Sequence, residues 1–403
     1  MQREGIQCAD WLGKGLDGGL AEPAVGAGQG STSGGTRKVI VEQLDNLRGE
    51  VLLKALGQYP DRTARPVWTW RERDKLSAMW LLSGPGPDTR LSNMEFSEAA
   101  AALLCLPSPV CADKIGCRVG DRRVDLYDDQ VQAATMEGDG WRTRHDNIKL
   151  FLTKLFHWAH LPYQCEVFNL FAHLIPQEGL SRIERGRKRQ GLVPDFMLEI
   201  TNGRGDKRKE LAELKCISCC PTRYNMSPAL VGNRIHVRAV QRRANGLTGH
   251  YMGKATGVDQ NYVGVRPGEV GRVQRKLETF GEVRGLVFGA FGEVSEGVHE
   301  LIQVVAQSRL RAVGLQKGRV SEKGELGVLV GRIRKQLSVA AVRTQADCLI
   351  TRLGNVGEGT GAAGKRRGNV IRWERRWEKE MQAEMVCERQ GRRILRRGQI
   401  MLD

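Results

Sequence analysis

No run of about twenty apolar residues, the length a membrane-crossing helix needs, occurs in the chain. Its first residues, MQREGIQCADWLGKG, hold no apolar core of signal-peptide length. The expectation is therefore an intracellular protein with no membrane partner, whose ten cysteines stay reduced. Aromatic residues are scarce at 6%, against 49 glycines, so much of the 403-residue chain is not expected to be core. Acidic side chains are in deficit, 46 against 63 basic ones, giving a formal charge of +17. A pI near 9.7 favours a polyanionic partner, nucleic acid before membrane and in place of a small-molecule substrate. Two familiar motifs are incomplete. Cys216-x-x-Cys219-Cys220 lacks a second pair, since Cys348 and Cys387 stand alone, and buried thiols are expected there. Gly359–Arg366 fits GxxxxGK, but Arg366 stands where a phosphate loop needs Ser or Thr to hold Mg²⁺, so no nucleotide site is expected. The glycines of Phe288–Glu293 have the wrong spacing for GxGxxG and read as strand plus turn.

What the sequence does contain is a hairpin pattern between Arg185 and Cys220. Val193–Ile200 is dense in apolar residues, Thr201–Lys209 is rich in turn residues, and Glu210–Ile217 forms a second arm. Alternation places Val193, Asp195, Met197 and Glu199 on one face and Phe196, Leu198 and Ile200 on the other. On the second arm Leu211, Glu213 and Lys215 oppose Ala212, Leu214 and Cys216. A hairpin symmetric about Arg204 puts Asp195 opposite Glu213, within roughly 5 Å. Two carboxylates that close repel each other, and a hard cation such as Mg²⁺, or Mn²⁺ in its place, relieves the repulsion. Such an ion polarises a phosphoryl oxygen and acidifies its water, with a lysine beside it to orient the nucleophile. The plainer alternative is a surface hairpin with an ordinary Glu–Lys face.

Pro194-Asp195 followed by Glu213-Leu214-Lys215 resembles the PD-(D/E)xK restriction-endonuclease-like superfamily. The similarity is to the C-terminal endonuclease region of non-LTR-retrotransposon-type proteins. The resemblance implies an α/β fold with an αβββαβ core and a small mixed central sheet, flanked by helical and disordered segments. The chain offers that order. Asp146 or Asn147 is expected to cap a helix carrying Ile148, Phe151, Leu152, Leu155, Trp158 and Ala159 at helical spacing. Tyr163–Ile175 fits a first strand and the hairpin supplies two more. Asn233–Tyr262 reads as a helix weakened by Gly246, Gly249 and Gly253, Val283–Phe291 as a buried last strand, and Gly297–Val313 as a closing helix.

The resemblance implies a metal-dependent DNA endonuclease with catalytic Asp195, Glu213, Lys215 and Glu166. Asp195, Glu213, the Leu214 carbonyl and Glu166 would hold Mg²⁺ or Mn²⁺, and DNA is the expected partner, RNA the alternative, in the nucleus. Phosphate or base contacts are expected from His145, Arg187, Lys188, Arg189, Gln190, Arg238 and Arg242, with Ile235, Val240 and Leu247 packing inward. A solvated basic loop is the plain reading of Arg182–Arg189, a capping role or packing on Trp141 that of His145, and an ordinary strand-edge glutamate that of Glu166. In such proteins a Cys/His knuckle precedes an Arg-His helix opening. Here Arg144-His145-Asp146 matches the opening, but of the knuckle only Cys111 and Cys117 remain, with Gln130 in the histidine's place. Zinc needs four ligands, so none is expected. The erosion favours a second possibility, a catalytically inactive nucleic-acid-binding remnant. The segments RPVWTWRERDKLSAMWLLSGPGP and LCLPSPVC carry a weaker similarity to the region preceding such endonucleases.

The expected organisation is a disordered or linker-like stretch at 1–60 and a small helical region at 61–140. The nuclease-like domain spans 141–315. A basic, partly helical tail covers 316–403, with Trp373, Trp377, Met381 and Met385 on one face.

Overall fold

The computed structural model describes residues 74, 76–83, 89–104, 106–134, 142–168, 170–185, 192–201, 205–218, 235–313 and 321–354. The expectations for 1–60, for Arg187, Lys188, Arg189 and Gln190, for Cys219 and Cys220, and for the 359–366 and 365–397 stretches lie outside these residues.

A 3₁₀ turn at Met79–Leu82 precedes helix α1 (Asn93–Leu104), the two-residue strands β1 (Arg118–Val119) and β2 (Arg122–Arg123), and the short helix α2 (Asp129–Ala133). Helix α3 (Thr143–Trp158) follows because Ile148, Phe151, Leu152, Leu155 and Phe156 fall on one stripe and all are buried. It starts three residues earlier than the expected cap, so Asp146 lies in its first turn, where a negative charge suits the helix dipole. Left-handed His160 (φ 53°) and then Pro162 close it. Strand β3 (Tyr163–Cys165), a 3₁₀ turn (Ala172–Leu174), helix α4 (Gln177–Arg185), strands β4 (Phe196–Thr201) and β5 (Lys207–Cys216), and helix α5 (Ile235–Val258) come next. A π turn (Asp259–Val263), helix α6 (Arg272–Glu278), strand β6 (Arg284–Phe288), helix α7 (Glu296–Ala312) and helix α8 (Ser321–Gly354) complete the order.

The fold is mixed α/β around a four-stranded sheet ordered β3-β4-β5-β6, in which β3, β4 and β5 are antiparallel and β6 lies parallel to β5. A parallel neighbour cannot be reached by a tight turn, and α5 lies in the crossover that carries the chain from β5 to β6. Phe196, Leu198, Ile200, Ala212, Leu214, Leu286 and Phe288 pack into one core with α3, α7 and α8. Met197 and Leu211 on the opposite face join Tyr251, Ala255 and Val258 of α5, while Ile217 and Val287 meet its Val240, Ala244 and Leu247. The alternation expected of both hairpin arms is the one observed. Gly285 is required by this layer: a Cβ there would come within 2.7 Å of the Ala244 Cα, so only glycine lets α5 lie this close to β6.

Several expected bounds need correction. The first strand is not Tyr163–Ile175 but three residues long, because Glu166 turns left-handed (φ 44°) and Phe171 and Ile175 are buried against the α5–α6 side instead. The first hairpin arm enters the ladder at Phe196, not Val193, and the second starts earlier, at Lys207. The closing strand ends at Phe288, because the Gly289 N–H turns back to the Glu293 carbonyl at 2.8 Å. Helix α5 persists through its glycines because Gly246, Gly249 and Gly253 have nothing within 4 Å and the opposite side supplies the packing. Of the segment expected as a tail, Ser321–Gly354 is core-forming: Val330, Ile333, Leu337, Ala340 and Ala341 are buried with α3 and α7. Leu349 and Leu353 cover Cys111, Val119, Val124 and Val131, so the region compared above with a Cys/His knuckle is apolar packing, and burial pushes the Cys111 thiol up to about 11. No described helix is long and apolar enough to cross a membrane.

Candidate active site

The β4–β5 register pairs Phe196 with Ala212 and Met197 with Leu211, so the next step outward sets Asp195 against Glu213. Asp195 stands one residue before the ladder. Its carboxylate takes the place a strand would have had: the Leu214 N–H donates to Asp195 Oδ2 at 2.9 Å, and the Asp195 N–H reaches Glu213 Oε2 at 3.4 Å. A strand residue sends its N–H and C=O to the same edge, so the Leu214 carbonyl is directed to that side as well. The Asp195 carbonyl accepts from the Glu166 N–H at 3.0 Å, which fixes the end of β3 beside it.

Helix α3 delivers two cations to the same carboxylate. His145 Nε2 lies 3.3 Å from Asp195 Oδ2, and its Nδ1 is 2.9 Å from Asp146 Oδ1. One turn later the Lys149 ammonium bridges Asp195 Oδ1 at 3.1 Å and Glu166 Oε1 at 2.8 Å. Arg144, buried beside them, anchors the start of the helix by donating to the carbonyls of Ile217 and Gly289, at the ends of β5 and β6. Glu213 is supplied separately. Lys215 Nζ contacts its Oε1, and the buried Tyr251 hydroxyl of α5 donates to its Oε2 at 2.6 Å.

These contacts set the protonation states. Burial disfavours the His145 imidazolium, yet the hydrogen bonds and charges of Asp146 and Asp195 outweigh it and raise the pKa to about 9. Burial also works against the Asp195 carboxylate, and is overcome by His145, Lys149 and the Leu214 N–H, which hold it down at about 2. The Lys149 pKa is raised because Glu166 and Asp195 outweigh its own burial. Tyr251 is pushed far up, by burial first and by the Glu213 charge next, so it remains a hydrogen-bond donor. At neutral pH the cluster is thus an interleaved set of carboxylates and cations.

Of the sequence-predicted residues, Asp195, Glu213, Lys215, Glu166, Leu214 and His145 come together at one end of the hairpin. Among the described residues no three His, Cys, Asp or Glu side chains converge as a ready-made metal cage. Arg238 and Arg242 are exposed on α5. Sequence reasoning misses Lys149 and Tyr251. Lys149 has a signal, its position four residues after His145 on one helix face, whereas Tyr251 has only its place on the inward stripe of α5. Compared with known proteins, the chain matches no family model, no curated protein and no solved structure.

Proposed function

We propose that the protein is a divalent-metal-dependent endonuclease of the restriction-endonuclease-like kind, retroelement-derived, that hydrolyses DNA phosphodiester bonds. The observation that carries the reading is the pairing of Asp195 with Glu213-Leu214-Lys215 at the open end of the hairpin. With α4 inserted after β3 and α6 after α5, the order α3, β3, β4, β5, α5, β6 is compatible with the αβββαβ core that such enzymes use. So does the chain's excess of basic residues, which suits a polyanionic substrate.

The donor set fits a hard cation. Asp195, Glu166 and Glu213 offer carboxylate oxygens and Leu214 a carbonyl, and an ammonium already sits between two of the carboxylates. Held by those oxygens, Mg²⁺ or Mn²⁺ supplies a polarised phosphoryl oxygen and a water of lowered pKa. The rest is the work of the chain. Lys215, partly exposed beside Glu213, orients the attacking water and balances charge developing on the phosphate. Tyr251 keeps Glu213 from rotating, and His145 fixes one oxygen of Asp195. Purified protein is expected to nick supercoiled plasmid with Mg²⁺ or Mn²⁺, and Asp195→Ala to lower the rate by at least about 10²-fold, the scale of losing one group that stabilises the transition state. Equal residual cleavage by the two proteins defeats the assignment.

A second reading, an inactive nucleic-acid-binding remnant, draws on a specific feature: every carboxylate of the cluster already has a cation from the chain itself. On that reading salt-sensitive DNA binding persists, unchanged by Asp195→Ala, and no metal-dependent cleavage occurs.

A further inference from the structure

Lys149 occupies an unusual position. Its side chain is only 12% exposed, and its ammonium is shared between two carboxylates that belong to different elements, Asp195 at the start of β4 and Glu166 after β3. Surface ion pairs between flexible, solvated side chains contribute little. This one is half sunk, with the Phe196 ring 5.9 Å from the ammonium, and it spans the point where oxygens of both acidic residues converge. Two carboxylates held this near would repel strongly without a positive charge between them. The backbone bond from the Glu166 N–H to the Asp195 carbonyl, with Glu166 in a left-handed conformation, keeps the two backbones together, and the ammonium draws the half-exposed Glu166 carboxylate to Asp195. The charge therefore holds the two carboxylates together.

We infer that Lys149 is a built-in counter-ion: its ammonium holds the cation position between Asp195 and Glu166 in the metal-free protein and must leave that position when a divalent cation takes it. This rests on the metal-dependent reading above and adds the residue that competes with the ion. The competition has a definite sign. A divalent cation entering beside Lys149 meets its charge at close range, and it gains both carboxylates only when the four-carbon stem swings away. A neutral residue at 149 removes the competitor and leaves the site more negative by one charge, and both changes favour the divalent ion. Lys149 would thus set a threshold, keeping the site closed to stray monovalent and weakly bound ions. It would also keep the acidic pair from destabilising the fold while no metal is present.

The test measures binding, not cleavage. Mn²⁺ is titrated into the full-length protein at pH 7.5 and low salt, with free ion counted by electron paramagnetic resonance, for wild type, Lys149→Met, Lys149→Gln and Lys149→Arg. Met and Gln are expected to bind Mn²⁺ roughly tenfold or more tightly than wild type, given the size of a charge–charge term at this depth, and Arg to bind no better than wild type. A second readout follows from linkage. The Met variant should melt lower than wild type without metal and recover more on adding saturating Mn²⁺. If wild type binds Mn²⁺ and the neutral variants bind it equally or more weakly, the counter-ion role is overturned while the metal site stands. If neither wild type nor variants bind, the metal site itself is absent and both inferences fall.

Discussion

The Tyr251 hydroxyl donates to Glu213 Oε2 at 2.6 Å, from a helix that begins only after the hairpin has closed. Both groups are nearly fully buried, and Val193 offers its carbonyl to the same hydroxyl at 3.3 Å. The hydrogen bond ties the position of α5 to the geometry of the acidic pair. Removing only the hydroxyl, as in Tyr251→Phe, takes the closer donor from a buried carboxylate oxygen and leaves it the Asp195 N–H at 3.4 Å. That costs about 1–3 kcal/mol of stability. Under the proposed function plasmid nicking should fall by roughly tenfold with the overall circular dichroism unchanged, because Glu213 is freed to rotate but is still present. A Phe variant with wild-type stability and rate would show that the bond has no positioning role.

The two titrating partners at the head of α3 and β4 give a pH signature with opposite edges. His145 is raised from 6.5 to about 9, so the stability it contributes is complete below pH 6.5 and is lost as the pH rises toward 9. Asp195 is lowered from 3.8 to about 2, so its share is complete above pH 3.8 and is lost as the pH falls through 2. In urea unfolding of metal-free protein, the difference between wild type and a variant lacking the His145 imidazole should therefore be constant below pH 6.5 and decline between 6.5 and 9. Above pH 9 the thiols of buried Cys111 and partly buried Cys216, both pushed up to about 11, add their own loss, so the useful window stops there. His145→Gln supplies that variant. An unchanged alkaline slope in that variant would assign the effect to some other group.

How much of this is legible in the sequence depends on whether a pattern is local. The face alternation of Val193–Ile200 and Leu211–Cys216, and with it the Asp195–Glu213 pairing, follow from a period of two and a symmetric turn, which no tertiary contact has to supply. The α3 stripe from Ile148 to Phe156 is equally local. The first strand reads too long because Val167–Ile175 is as apolar as a strand. What turns it aside is the left-handed Glu166 together with the pocket that receives Phe171 and Ile175 on the α5–α6 side. Tyr251 is hidden for a related reason. Inward-facing positions of α5 look alike in sequence, and only the close approach allowed by Gly285 decides which of them reaches Glu213. The 321–354 helix reads as a tail because its apolar residues are spread round it. It is embedded in the protein, touching α1, α3 and α7 on different sides, and so shows no single stripe.

Under the proposed function, the same helix α5 also decides which basic residues would meet a phosphate near the site. Arg243, His250 and Lys254 are spaced by seven and four, so they share one stripe, and all three are exposed. Lys254 Nζ sits 5.7 Å from the Tyr251 ring centre, next to the residue that holds Glu213. His250 is lowered in pKa, by burial first and then by the charges of Lys254, Arg243 and Lys215. Arg238 and Arg242, the residues expected from the sequence to touch nucleic acid, lie roughly 100–140° further round, on the side of Gly246, Gly249 and Gly253. Binding of a fluorescent DNA duplex without metal, measured from 50 to 300 mM salt, separates the two surfaces. Arg243→Ala with Lys254→Ala should lower affinity and shrink the slope of log K against log salt by about one unit for each phosphate no longer neutralised. Arg238→Ala with Arg242→Ala should leave that slope nearly unchanged. If instead the Arg238 and Arg242 pair carries the salt dependence, the nucleic acid runs along the outer face of α5 and does not pass the Glu213 end of the hairpin by this route.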